Sequence, residues 1–188
     1  MSATQRTKGA RGERDAADAL EAVGGRAWRR SASQSQGRAR ATQEPDVVLV
    51  EPRGPWEAAQ GPEVKRTESA SVVWLALRQA IRDAEGTDRV PWVMWRRSRS
   101  PWLVVVPVCW LGLVVETVTG REVRVPDDVV IAPDVRGKAP MWGKAWAICL
   151  ARPRRVVVDR EGYPVVVVCE LSDLCEVARI VAGVEVVR

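Results

Sequence analysis

The sequence contains no histidine, no asparagine and no phenylalanine, and only four of its 29 basic residues are lysine. Without histidine there can be no histidine-based triad and no histidine general base. Cysteine is scarce too. Cys109, Cys149, Cys169 and Cys175 form no CxxC pair. With no histidine to complete a tetrahedral set, a zinc site is not expected, and the four read as buried free thiols. No apolar run approaches the ~18–20 residues of a membrane span. The opening stretch, MSATQRTKGARGER, is polar and lacks the apolar core of a signal peptide. The expectation is a soluble, cytoplasmic protein with no membrane partner.

What remains is rich in arginine, valine and tryptophan, the usage of a GC-rich genome in which arginine replaces lysine wherever either serves. The 188 residues suffice for one full core, or a core plus a sub-domain. The net charge of +5 is uneven. Residues 1–40 hold nine basic residues (6, 8, 11, 14, 26, 29, 30, 38, 40) against four acids (13, 15, 18, 21), which alone gives +5. Such clustering is an electrostatic footprint for a polyanion. Solubility alone would account for a scattered charge of the same size.

Four stretches carry the chemistry. Residues 1–8 read as a flexible basic arm, followed by a helix over about 9–23. Its apolar stripe is Ala16, Ala17, Leu20 and Val23, ended by Gly24-Gly25. Glu13 falls on that inward stripe. A carboxylate there needs a partner, because burying it unpaired is costly; a metal ion, a lysine or a backbone group would each serve, and first-turn helix chemistry is the alternative. Residues 26–30 read as a short strand, and 31–44 as a mobile loop whose hydroxyls and guanidiniums suit phosphate. Pro45-Asp46 opens the strand VVLV. After a turn-rich stretch comes EVKR, residues 63–66. Residues two apart on a strand share a face, so Glu63 and Lys65 stand together while Val64 turns into a core. A lysine kept in so arginine-biased a chain marks a place for a compact ammonium. If the strands of Asp46 and of Glu63 lie side by side, three acids converge on one lysine.

The remainder reads as a helix over about 71–84, capped by Ser69 or Ser71 and carrying Gln79. A hairpin follows, VPWVMW and PWLVVVPV around the basic tip RRSRS, and then a short helix over 109–118. Beyond it, 122–133 reads as strands with turns, 141–151 as a helix, 154–170 as a hairpin, and 172 onward as a helix. Residues 141–181 weakly echo 71–118 in this order of elements, which would make the C-terminal stretch a degenerate half-repeat or an interface.

Taken in order, KGARGERDAADAL, RRSAS, PDVVLV, EVKR, WLALRQA and VPWVMWRRSRSPWLVVV resemble the PD-(D/E)XK nuclease superfamily. Within it the chain is most similar to archaeal-type Holliday junction resolvases and their phage relatives. The resemblance covers about residues 6–118. It implies an α/β fold, a mixed β-sheet flanked by helices, with residues 119–188 as a Val-rich α+β extension. It also implies a metal-dependent endonuclease that resolves four-way junctions by paired nicks, another repair or restriction-type nuclease being the alternative within the superfamily. A non-catalytic DNA-binding protein of the same fold is the alternative outside the enzymes. Glu13, Asp46 and Glu63, with the carbonyl of Val64, would hold Mg²⁺ or Mn²⁺, and Lys65 would orient or deprotonate the attacking water. Ser31 and Ser33 become phosphate contacts. Arg6, Lys8, Arg11, Arg29, Arg30, Arg38, Arg40 and Arg66 are the further DNA-binding candidates, and Gln79 flanks the site. A two-fold symmetric junction implies a homodimer, acting in the host cytoplasm if the gene is a phage's. Pro62, immediately before the motif, means that the strand starts at the motif or has an irregular lead-in. In another register Glu57 would be the strand carboxylate.

Overall fold

The computed structural model describes residues 3–31, 45–69, 71–122, 146–149, 156–159 and 166–175. Helix α1 spans Ala3–Gly24. Ala16, Ala17 and Leu20 are its buried stripe, as the periodicity expects, whereas Val23 is exposed. The expected flexible arm is helical from Ala3. Residues 3–8 contain no proline, and adding residues to an existing helix is far easier than nucleating one. The helix stops where Gly25 takes a positive φ of 67°, and its N–H donates to the carbonyl of Glu21 at 2.8 Å.

Strands β1 (Trp28–Arg30) and β2 (Val47–Leu49) form a two-stranded antiparallel ribbon. A single turn, α2 (Pro55–Ala58), leads to β3 (Glu63–Arg66), which begins directly after Pro62. Helix α3 (Ser71–Ala84), strand β4 (Val93–Arg96) and strand β5 (Leu103–Pro107) follow. A 3₁₀ turn over Val108–Trp110 then runs into helix α4 (Leu111–Thr119), matching the helix expected there. Strands β6 (Trp146–Cys149), β7 (Val156–Asp159) and β8 (Val166–Glu170) complete a six-stranded sheet in the order β3-β4-β5-β8-β7-β6. The β3–β4 pair is parallel and every other pair is antiparallel. The fold is therefore α/β, a mixed sheet flanked by helices.

Alternation along the strands divides the interior in two. Val64, Met94, Val104, Val106, Val167 and Cys169 face α1 and α4, while Val93, Trp95, Val105, Val166 and Val168 face α3. Burial on both faces explains the continuous valine runs of β5 and β8, where every position but one at the end of each strand is buried. The hairpin expected over 154–170 is present as β7 and β8. The helix expected over 141–151 is not. Residues 146–149 are strand β6, so the internal echo sets a strand against α3. The apolar run Trp-Ala-Ile-Cys is too short for periodicity to tell strand from helix, and pairing with β7 decides it. Where a helix from Ser172 is expected, a 3₁₀ turn over Leu171–Asp173 comes first. Residues 123–145 and 176–188 lie outside the described residues. Cys169 is a buried free thiol as expected, but Cys109 is exposed and Cys175 only partly covered. Cys109 is the second residue of the Val108–Trp110 turn, which buries Val108 instead.

Candidate active site

The site is assembled where the β1–β2 ribbon meets the free edge of β3. Among the described residues β3 is an edge strand, with β4 on one side only. Backbone N–H groups of a strand alternate in direction. That of Glu63 donates to the carbonyl of Trp92 at 3.0 Å, so that of Val64 points to the open edge. There the Asp46 carboxylate accepts it, Oδ2 lying 2.8 Å away. The sequence expects Asp46 and Glu63 to meet through two adjacent strands. Instead β2 belongs to a different sheet, and one aspartate side chain replaces the missing ladder bond.

Two local features hold Asp46 in place. The N–H of Ser31 donates to the Asp46 carbonyl at 3.0 Å, extending the β1–β2 ladder by one residue. Gly61 lets the two segments close. A Cβ there would collide with the Val47 carbonyl and reach within 2.9 Å of the Pro45 ring. Gly-Pro before the motif is thus a requirement of close backbone approach.

Glu63 and Lys65 share a face as the alternation demands, with Lys65 Nζ 2.6 Å from Glu63 Oε1. Asp46, Glu63 and Glu13 are all buried. Burial, then the charge of Glu63, pushes the Asp46 carboxyl up from 3.8 to about 7, with Glu13 adding a little; Lys65 and the Val64 N–H act the other way. Glu63, Lys65 and Glu13 are therefore all within electrostatic reach of Asp46. Glu13 nevertheless has its own partner, for its carboxylate forms an ion pair with Arg30 of β1.

The remaining candidates are distributed as follows. Arg6 and Lys8 lie in the first turns of α1, and Arg11 is exposed on it. Arg29 is exposed on β1. Arg66 is exposed but pairs with Asp15 of α1 at 3.1 Å, and Arg96 approaches the same oxygen at 3.6 Å. Ser31 is buried. Ser33, Arg38 and Arg40 lie outside the described residues. Gln79 is half-buried on α3, which packs on β3 and β4. Glu57 is not on a strand. It sits in α2, fully buried, with Arg26 Nη1 and Nη2 at 3.1 and 2.9 Å from its two oxygens. Two structural pins have no local signal in the sequence. One is that Arg26–Glu57 pair. The other is Gln60, whose amide bonds the Asp88 carbonyl and the Val90 N–H, both at 2.6 Å, and so fixes the approach to β4.

Among the described residues no group of three or more His, Cys, Asp or Glu is gathered closely enough to hold a metal ion. The donors that do converge are Asp46 and Glu63. Two hard carboxylates that repel each other fit a divalent cation of the Mg²⁺ type, which is commonly held by one or two carboxylates and completed by water and phosphate. No helix among the described residues is long and apolar enough to cross a membrane.

A family model described as "Phage putative PDDEXK endonuclease" matches residues 4–125. No curated protein and no solved structure matches the chain.

Proposed function

The chain belongs to the phage PD-(D/E)XK endonuclease family, and from that premise we propose that it is a metal-dependent DNA endonuclease whose substrate is the four-way junction. The observation that carries the reading is the convergence of Asp46, Glu63 and Lys65 on the free edge of β3. One carboxylate is locked by a backbone N–H and the other by the lysine, so both are fixed before substrate arrives.

In this reading Asp46 and Glu63 hold Mg²⁺, with the Val64 carbonyl as a further oxygen donor and Glu13 in reserve behind Arg30. When bound, the ion polarises the scissile phosphate, acidifies a water and neutralises charge on the leaving oxygen. The chain's own residues supply the rest. Lys65 directs N–H donors at the attacking water and at the charge developing on phosphorus. Glu63 holds that ammonium in place. Asp46, whose carboxyl is pushed up to about 7 by burial, would be held as the full anion by a bound cation, its proton passing to solvent. Arg29 and Arg30 line the approach from the ribbon and contact the DNA backbone, while Ser31, buried just past the end of β1, holds the Asp46 backbone through its N–H. Junction selectivity and a homodimer with two sites rest on the resemblance and on the symmetry of the substrate.

The deciding experiment is cleavage of a labelled four-way junction beside linear duplex and single strand, in Mg²⁺, in Mn²⁺ and in EDTA. Paired nicks in the junction alone, abolished by EDTA, are expected. Cleavage of all three substrates would retain the nuclease and discard the junction. Tight binding without cleavage under either metal would leave a DNA-binding protein of this fold.

A further inference from the structure

The hairpin tip between β4 and β5, Arg96-Arg97-Ser98-Arg99-Ser100, takes no part in the site described above, yet the sheet delivers it there. In the β3–β4 register Lys65 is opposite Trp95 and Arg66 opposite Arg96. Residues directly opposite share a face, so Trp95 stands on the face of Glu63 and Lys65. The Arg97 guanidinium lies over the Trp95 ring, 5.1 Å from its centroid, which puts Arg97 on that face too. It is two residues beyond the register position of Lys65, roughly 7 Å at ~3.3 Å per residue. A nucleic-acid strand advances ~3.4 Å per nucleotide. A strand with one phosphate at Lys65 therefore presents others, one to three nucleotides along, to the tip.

The tip is also built to a fixed shape. The Trp95 indole N–H donates to the Thr67 carbonyl at 2.8 Å, anchoring the ring on which Arg97 rests. The Thr67 N–H donates to the Arg96 carbonyl at 3.2 Å, carrying the β3–β4 pairing up to the turn. Ser98 N–H donates to Glu68 at 2.8 Å, and Ser100 N–H to the Arg97 carbonyl at 3.3 Å. Arg99 holds a positive φ of 58°, where glycine would sit without strain. Arg97, Ser98 and Arg99 are all exposed. A guanidinium stacked on an aromatic face keeps its N–H edge free for a phosphate. The acid facing the tip, Glu68, accepts from the Ser98 backbone and side chain, and its carboxyl is held low by these bonds and, to a lesser degree, by the charge of Arg97.

We propose that Arg97 and Arg99 form a preorganised clamp for the DNA backbone phosphates that flank the cleaved bond. This rests on the endonuclease reading for the position of that bond, but binding tests it separately. The measurement is duplex and four-way-junction affinity in EDTA as a function of salt, for the wild type and for Arg97→Ala, Arg99→Ala and the double variant. Arg121→Ala is the control. It removes an equal charge at an exposed position beside Gly120, which lies against Arg26 and Arg53 near the far end of α1. Each tip arginine contributes about one to the slope of log K against log salt, so the double variant should lose about two. Affinity should fall alike for every DNA sequence, and Arg121→Ala should leave the slope in place. Circular dichroism identical to the wild type confirms that the variants fold. An unchanged slope in the double variant, or an equal loss in Arg121→Ala, overturns the clamp. A wild type that binds with the predicted slope change but never cleaves overturns the endonuclease and keeps the clamp. A wild type that binds no DNA at low salt overturns both.

Discussion

Two buried carboxylates, Glu57 beside Arg26 just past the end of α1 and Asp46 near Glu13 at its middle, are treated by the chain in opposite ways. Glu57 meets a bidentate arginine. Arg26 occupies both its oxygens, Arg26 Nη1 also reaches the Thr117 carbonyl at 2.9 Å, and the Arg53 N–H donates to Oε2. The Arg26 hydrogen bonds hold the Glu57 carboxyl below its usual value despite burial. Asp46 meets the Val64 N–H, the repelling charge of Glu63 and a lysine already engaged by Glu63, and burial pushes its pKa up to about 7. A charge fully compensated within the chain is complete as structure. A charge left under-compensated has room for a ligand, which is why such groups gather at functional sites.

The largest expected effect breaks the first of the pair. Arg26→Ala strands Glu57 in the interior, and urea unfolding should record a loss of about 3–5 kcal/mol. At the other carboxylate, Asp46→Asn should leave the metal-free protein folded and at least as stable at neutral pH, while cleavage falls by ~10²–10⁴. Lys65→Ala should do the same to cleavage. Unfolding of both variants would mean that Asp46 and Lys65 are structural and would remove the distinction.

The second effect is a pH dependence of stability. The folded pKa of Asp46 is raised, so between about 4 and 7 the folded state keeps a proton that the unfolded state has released. Stability without metal should therefore be greatest in this respect below pH 4 and decline as pH rises to 7, by up to about 4 kcal/mol. Melting curves of the wild type against Asp46→Asn isolate this term, because the asparagine variant lacks it. Glu57 should contribute the opposite slope, lost on acidification.

Third, Mg²⁺ at a hundred times its dissociation constant should stabilise the fold by about 2.7 kcal/mol. The shift should vanish in Asp46→Asn and survive in Arg26→Lys. The smallest effect compares two glycines of α1. A Cβ at Gly24 would collide with the Val118 carbonyl, next to the residue that Arg26 grips. A Cβ at Gly12 would meet only the side chain of Arg66, at 2.9 Å from its Cδ. Gly24→Ala should cost about 1–3 kcal/mol, and Gly12→Ala should be nearly neutral because the arginine can swing away. Thermal denaturation of the two variants side by side checks the difference.

The parts of this molecule that could be read from the sequence are those fixed by neighbours in the chain. The alternation in EVKR, the strand start after Pro62, the Ala16–Leu20 stripe and the two hairpins all depend on local periodicity. The unreadable parts are choices of partner across the chain. Nothing near Glu13 announces Arg30, and nothing near Glu57 announces Arg26, because charge matching is settled by packing. Asp46 is legible as a candidate acid, yet its means of reaching β3, a side chain replacing a ladder bond, is not. Residues 146–149 were misread for the same reason: a four-residue apolar run takes its conformation from the strand beside it.

The position of β8 in the sheet has a consequence for how the protein comes into being. β8 lies between β5 and β7, and it pairs with β5 over five residues from Leu103 to Pro107. On a ribosome, β3, β4 and β5 emerge well before Val166, at about 5–20 residues per second. For several seconds the nascent chain carries the parts of the candidate site at the β3 edge while the opposite edge of the sheet, at β5, has no neighbour. The interval favours any companion that shields an open strand edge, and the last pairing made in synthesis falls at the far side of β4 and β5 from the site.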